Sequence, residues 1–256
     1  MAIILETEGA IGIVRLASPP LNLLSNKAKD ELESVLDTLG GREDLRAVVV
    51  VGEGEKAFCA GADLKEFPER IRLGMAGSVW DQGHRMSERL SSLPQVTIAA
   101  LNGVAFGGGL EVALACDMII AGPAVRLGLP EVKRGIMPGN GGIQKLIERV
   151  GRHKAIEYLV TGKTVLAEEA LKDGLVDRVA SEPLQAAMEL AREICSLPGV
   201  AVTAIKRVVL TYMANGYSSY YSTGREWFEL LHQTEDCREA LQAFFEKREP
   251  HFSHRR

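Results

Sequence analysis

The sequence predicts an α/β fold with a helical C-terminal part. Three observations point there. Residues 1–50 alternate as strand, strand, helix, strand. Strand–strand–helix runs then recur further along. The second half is mostly of helical periodicity.

Residues 3–7 and 12–16 are two short β-rich runs around a turn at Glu8-Gly9. The prolines at 19 and 20 end that pattern. Ser25 is placed to cap a helix whose apolar positions are Ala28, Leu32, Val35, Leu36 and Leu39, with Gly40-Gly41 as its stop. LRAVVVV at 45–51 has the β-branched density of a strand buried on both faces. FCAGADL at 58–64 is a small-residue turn, and Lys65 onward reads as helical. Residues 66–82, with Pro68, Gly74 and Gly77, have weak periodicity and read as a mobile loop or broken helix. A helix is predicted over 83–93, with Met86, Leu90 and Leu93 on one face.

Residues 96–101 form the next strand, Asn102-Gly103 a turn, and 118–121 another strand. Between them a helix follows Gly107–Gly109. Helices are predicted over 141–150, 152–160, 167–173, 184–197 and 203–214, with a last pair inside 218–248 and a strand at 175–179. The REPHF stretch and the basic end of the chain are expected to be exposed. The repeated units are too divergent to be a sequence repeat.

Composition narrows the function classes. Of the 256 residues, 46% are hydrophobic and 25% charged, which is ordinary for a globular protein. A net charge of −4 argues against a nucleic-acid binder. The apolar run at 96–110 is about 15 residues, short of the roughly 20 that a membrane span requires. Four scattered cysteines form no C-x-x-C pair and no metal-ligand spacing, so reduced thiols, a cytoplasmic location and no metal are expected. No basic n-region marks a signal peptide at the N-terminus. Gly162-Lys163-Thr164 lacks the upstream glycine of a phosphate loop, because Glu157 stands there. The cluster at 139–142 lacks dinucleotide spacing, and no G-x-S-x-G elbow is present. The five histidines are read as surface or hydrogen-bonded groups.

The stretch 97–139 is the most apolar and glycine-crowded part, yet it carries Glu111 and Glu131. Taken alone, each is explained by a helix dipole, a cap or an ion pair. The glycines change that weighing. Gly107–Gly109, at a strand-to-helix junction, let backbone N–H groups approach a ligand, and 59–63 forms a second such turn. Two convergent N–H donors make an oxyanion hole, and a carboxylate beside it can move protons at the carbon next to a carbonyl.

KAFCAGADLK at 56–65, NGVAFGGGLEVALACD at 102–117 and LPEVKRGIMPGNGG at 129–142 resemble the enoyl-CoA hydratase/isomerase (crotonase) family. So do VTGKT at 160–164, ALKDGLVDRV at 170–179 and FFEKREPHF at 244–252, in order over nearly the whole chain. The resemblance implies a crotonase-like spiral of ββα units over 1–195, with an α-helical trimerisation region over 196–256. It implies a homo-oligomer, a trimer or a dimer of trimers, acting on an acyl-CoA thioester. The oxyanion donors fall on Ala62 and Gly108, the catalytic glutamates on Glu111 and Glu131, and a water-positioning N–H on Gly139. Lys56, Ala60, Asp63, Leu64 and Lys65 match positions near the CoA moiety. Lys247 matches one that reaches a neighbour's nucleotide.

Retention of both glutamates points to an enoyl-CoA hydratase, with Glu131 protonated and giving the α-proton while ionised Glu111 activates water. No cofactor is implied beyond the coenzyme A of the substrate itself. A Δ3–Δ2 enoyl-CoA isomerase using one glutamate is the alternative enzyme. An acyl-CoA- or RNA-binding protein of this fold is the non-enzymatic one.

Overall fold

The computed structural model describes residues 2–254. In chain order the elements are β1 (Ile3–Glu8), β2 (Ile11–Leu16), α1 (Asn26–Gly40), β3 (Ala47–Gly52), β4 (Ala57–Cys59), α2 (Phe67–Arg72) and α3 (Ala76–Ser92). Then come β5 (Val96–Leu101), β6 (Val104–Phe106), α4 (Gly108–Leu114), β7 (Met118–Ala121), β8 (Arg126–Gly128) and α5 (Gly142–Thr161). The last are β9 (Thr164–Leu166), α6 (Ala167–Lys172), β10 (Arg178–Val179), α7 (Pro183–Cys195), α8 (Gly199–Leu231) and α9 (Glu235–Glu246).

This is the crotonase-like spiral. After β1 and β2, which pair within one sheet, successive units divide their strands between two sheets. One sheet runs β1-β2-β3-β5-β7-β10, parallel except for the β1–β2 pair; the other runs β4-β6-β8-β9, parallel up to β8. The valine run explains how the larger sheet is buried on both faces. Val48 and Val50 point into one core with Leu32, Leu36, Leu39 and Met86, while Val49 and Val51 point into a second core with Ala187, Met188 and Ala191 of α7.

Ser25 caps α1 as the sequence predicts, its hydroxyl accepting from Ala28 N–H at 3.1 Å. The segment 66–82 is a broken helix, one of its two expected forms, with α2 ending at Arg72. Other details differ from the sequence reading. α3 begins at Ala76, seven residues before the predicted start. Ile71, Leu73, Met75 and Trp80 are exposed, so this part has no buried face to give it periodicity. The predicted strand at 175–179 shrinks to Arg178–Val179, because Leu175 N–H and Val176 N–H both close on Ala170 O at the end of α6. The REPHF region is largely exposed, as expected, and is also tethered. Glu239 holds Arg248 and His251 N–H, and Asp236 accepts from Ser253 N–H at 2.6 Å and His254 N–H at 3.0 Å. The final two arginines lie outside the described residues.

α8 is broken at Gly216, where φ is 72°. Its first arm is pinned to the sheet by Lys206, whose ammonium donates to Gln95 O at 2.8 Å and to Asp117 Oδ2 at 2.6 Å. Its second arm and α9 leave Tyr217, Tyr221, Phe228, Phe244 and Phe245 exposed. Among the described residues no single helix is long and apolar enough to cross a membrane.

Candidate active site

The smaller sheet builds the site. β4, β6 and β8 are parallel neighbours, with Cys59 opposite Ala105 and Phe106 opposite Gly128. The residues following each strand therefore leave from one edge. Ala60-Gly61-Ala62 follow β4, Gly107 and α4 follow β6, and Leu129-Pro130-Glu131 follow β8. Residues far apart in sequence meet because carboxyl ends of parallel strands meet.

The junctions are close. A Cβ built on Gly109 would lie 2.0 Å from Cys59 O, so only glycine lets α4 seat against the end of β4. Gly107 has φ +50°, and a Cβ there would come within 2.9 Å of Glu131 Oε1. A Cβ on Gly108 would lie 3.8 Å from Ala62 N, so the two expected oxyanion residues are neighbours across the junction. Gly108 is the first residue of α4, so its N–H has no acceptor inside that helix.

The two glutamates flank this junction in different surroundings. Glu111 is 1% exposed. Its Oε1 accepts from Asn140 N–H at 2.7 Å and Gly142 N–H at 2.9 Å, and its Oε2 from the Asn140 side-chain amide at 2.5 Å. Three of its roughly four acceptor directions are thus filled, leaving about one on Oε2. Glu111 thereby satisfies donors where α5 begins, which is a structural role, and leaves one acceptor direction open. Glu131 opens a 3₁₀ turn, Glu131–Arg134, and its Oε2 is buried without a hydrogen-bond partner. Burial, and after it the neighbouring Glu111 charge, push its carboxyl up to about 7.

Of the other residues singled out by sequence, Gly139 adjoins Asn140 in half-exposed, open space. Ala60 N–H is spent on Leu21 O at 2.9 Å. Asp63 caps the turn at Leu64–Glu66, accepting from Lys65 N–H at 3.0 Å. Leu64, Lys56 and Lys65 are exposed along the same loops. Lys247 is also exposed, at the left-handed end of α9, and no hydrogen bond or ion pair of a described residue joins it to the cluster. Sequence reasoning missed Asn140. The signal was present in Gly139-Asn140-Gly141-Gly142, which carries the resemblance and Gly139 but gives Asn140 no role of its own. Cys59, beside the site, is buried and its thiol is pushed up to about 11 by burial, so it is a poor nucleophile.

Residues 6–255 match the enoyl-CoA hydratase/isomerase family. The chain belongs to that family. The short-chain-enoyl-CoA hydratase of Clostridium acetobutylicum is 37% identical over 250 residues, covering 96% of this chain and 95% of that protein. The crystal structure of an enoyl-CoA hydratase from Bacillus anthracis superposes with a TM-score of 0.92 at 34% identity, over 100% of both chains. That of an enoyl-CoA hydratase from Mycobacterium tuberculosis H37Rv gives 0.88 at 31% identity, over 99% of both. Family membership brings an acyl-CoA substrate into consideration, and the fold described above is the one these structures share.

Proposed function

We propose that the protein is an enoyl-CoA hydratase, adding water to a 2-enoyl-CoA thioester to give the 3-hydroxyacyl-CoA. One observation carries the reading: a carboxylate held by three donors and a second with one buried oxygen unpartnered flank the junction where Ala62 and Gly108 are neighbours.

In this reading the thioester oxygen accepts from Ala62 N–H and Gly108 N–H. These donors are fixed before the reaction and stabilise charge as it develops on that oxygen. Glu111, through its remaining Oε2 direction, takes a proton from a water that Gly139 N–H helps to hold. The water oxygen bonds to C3, and the electrons of the C2=C3 bond move toward the thioester as enolate. Glu131, holding a proton near neutral pH, delivers it to C2. Glu111 then carries the water proton and Glu131 is ionised, so one proton passing between them through solvent resets the pair. This chemistry calls for no resident cofactor, because the coenzyme A belongs to the substrate.

Lys56 and Lys65, on the exposed loops flanking Ala62, are the proposed contacts to the CoA moiety, with Ala60, Asp63 and Leu64 shaping that path. Lys247 reaches it from a neighbouring subunit. Residues 196–256 form the association surface of a homotrimer or dimer of trimers. The exposed aromatic residues of α8 and α9 support this, as does the groove of about 490 Å³ between the arms of α8, lined by Val208, Tyr220, Tyr221 and Phe228.

The test is loss of enoyl absorbance from crotonyl-CoA. Turnover that disappears in Glu111→Gln and in Glu131→Gln supports hydration. Activity confined to 3-enoyl-CoA would replace this reading with isomerisation. Acyl-CoA binding without turnover would replace it with a binding role.

A further inference from the structure

The start of α1 borders the proposed thioester site. Leu24 N–H donates to Gly61 O at 2.9 Å, and a Cβ on Gly108 would meet Leu24 Cδ2 at 3.4 Å. Further along the buried side of this helix, between Ala28 and Leu32, is Lys29, only 2% exposed. Its ammonium has no hydrogen-bond or ion-pair partner among the described residues. A lysine so buried is rare unless paired.

The charged groups around Lys29 are Arg70, Glu111, Glu66 and Glu33. Two of the carboxylates among them are engaged elsewhere. Glu66 pairs with Arg70 and accepts from Asn26 N–H at 3.1 Å. Glu33, one turn on from Lys29, accepts from Arg89 through Oε2 at 3.1 Å, and its buried Oε1 makes no hydrogen bond. Glu111 holds its three donors from Asn140 and Gly142. Arg70 is itself 8% exposed; it donates to Asn26 Oδ1 at 2.8 Å, and its Nε is buried without a partner. Two buried cations, one with no bonded partner and one incompletely bonded, therefore lie under α1 and α2 on the side of Glu111. Burial and then the Arg70 charge lower the proton affinity of Lys29, against the charges of Glu111, Glu66 and Glu33, which raise it.

Leu24 brings the start of α1 against Gly61 and Gly108, so the region bordered by α1 and α2 adjoins the proposed thioester site. A methyl-terminated chain there would dehydrate Lys29 further. A chain ending in an anion would supply the partner it lacks.

We infer that Lys29, assisted by Arg70, is the specificity element of the acyl site, and that the substrate is an enoyl-CoA whose chain ends in a carboxylate. This rests on the hydratase reading of the same site. From here the assignment makes Lys29 a substrate-binding residue selecting charge at the far end of the chain.

The test compares binding of hexanoyl-CoA with that of its analogue ending in a carboxylate at carbon six, by calorimetry, in the wild-type protein and in Lys29→Met. Methionine keeps the length of the stem and removes a buried charge, and thermal melting of the variant checks its folding. The wild-type protein is expected to bind the carboxylated analogue at least about tenfold more tightly. Lys29→Met is expected to reverse that preference, changing the ratio on the order of 100-fold. Equal binding of the two ligands by the wild-type protein, or a ratio unmoved by Lys29→Met, overturns the inference. Saturated ligands separate this from catalysis. Hydration of crotonyl-CoA without the charge preference overturns this inference alone. The preference without hydration of either corresponding 2-enoyl-CoA overturns the hydratase reading alone. Failure to bind either ligand overturns both.

Discussion

Glu111 and Glu131 follow neighbouring strands of one sheet, yet their surroundings are opposite. Glu111 is fully buried and met by three N–H donors from the segment that begins α5. Glu131 is half-buried, and one of its oxygens faces no donor at all. The first arrangement suits an acceptor that must keep accepting. The second suits a carboxyl that holds a proton near neutral pH and gives it away. Identical side chains acquire different chemistry from the hydrogen-bond donors that the fold places beside them.

The largest expected effect breaks both halves at once. Glu111→Gln and Glu131→Gln each lower kcat for crotonyl-CoA hydration on the order of 10²–10⁴-fold, measured by enoyl absorbance.

A second effect separates the halves by sign, and urea unfolding measures it. Glutamine at 111 turns an amide toward donors that need an acceptor, so stability falls by about 1–3 kcal/mol. Glutamine at 131 removes a carboxylate that is costly to ionise in the folded state. The Glu131 carboxyl is raised from 4.5 to about 7, so the folded protein holds the proton more tightly than the unfolded chain. Its stabilising contribution is complete below 4.5, is lost as pH rises to about 7, and stays lost above that. At pH 8 Glu131→Gln is therefore more stable than the wild-type protein, by on the order of 3 kcal/mol at most.

A smaller effect sharpens the Glu111 side. Asn140→Ala deletes the side-chain donor and leaves both backbone donors in place. It lowers kcat on the order of tenfold, with KM little changed and stability reduced by about 1 kcal/mol. Steady-state kinetics and urea unfolding together check this. A rise in KM with kcat unchanged would move Asn140 from positioning Glu111 to binding substrate.

Much of this was legible in the sequence, for identifiable reasons. Strands such as 47–52 announce themselves because burial on both faces demands an unbroken β-branched run. The glutamates stood out because carboxylates are rare in apolar, glycine-rich stretches. The start of α3 was hidden because its first turns are exposed and carry no apolar stripe. Asn140 was hidden because its role arises only where α5 meets α4. Lys29 was hidden because helical periodicity gives a core position to Ala28 and Leu32 and reads the lysine between them as solvated. No spacing rule shows that Arg70 of α2 lies near it.

The most direct measurement is the titration of Glu131 itself, by ¹³C NMR of side-chain carboxyl carbons in protein labelled at glutamate and assigned with Glu131→Gln. The expected midpoint in the wild-type protein is about 7. In Glu111→Gln the expected midpoint is lower but still above 4.5, because burial is the larger cause and survives that substitution. A wild-type midpoint at the ordinary 4.5 would leave Glu131 without a proton to give at neutral pH, and would contradict the division of labour between the two glutamates.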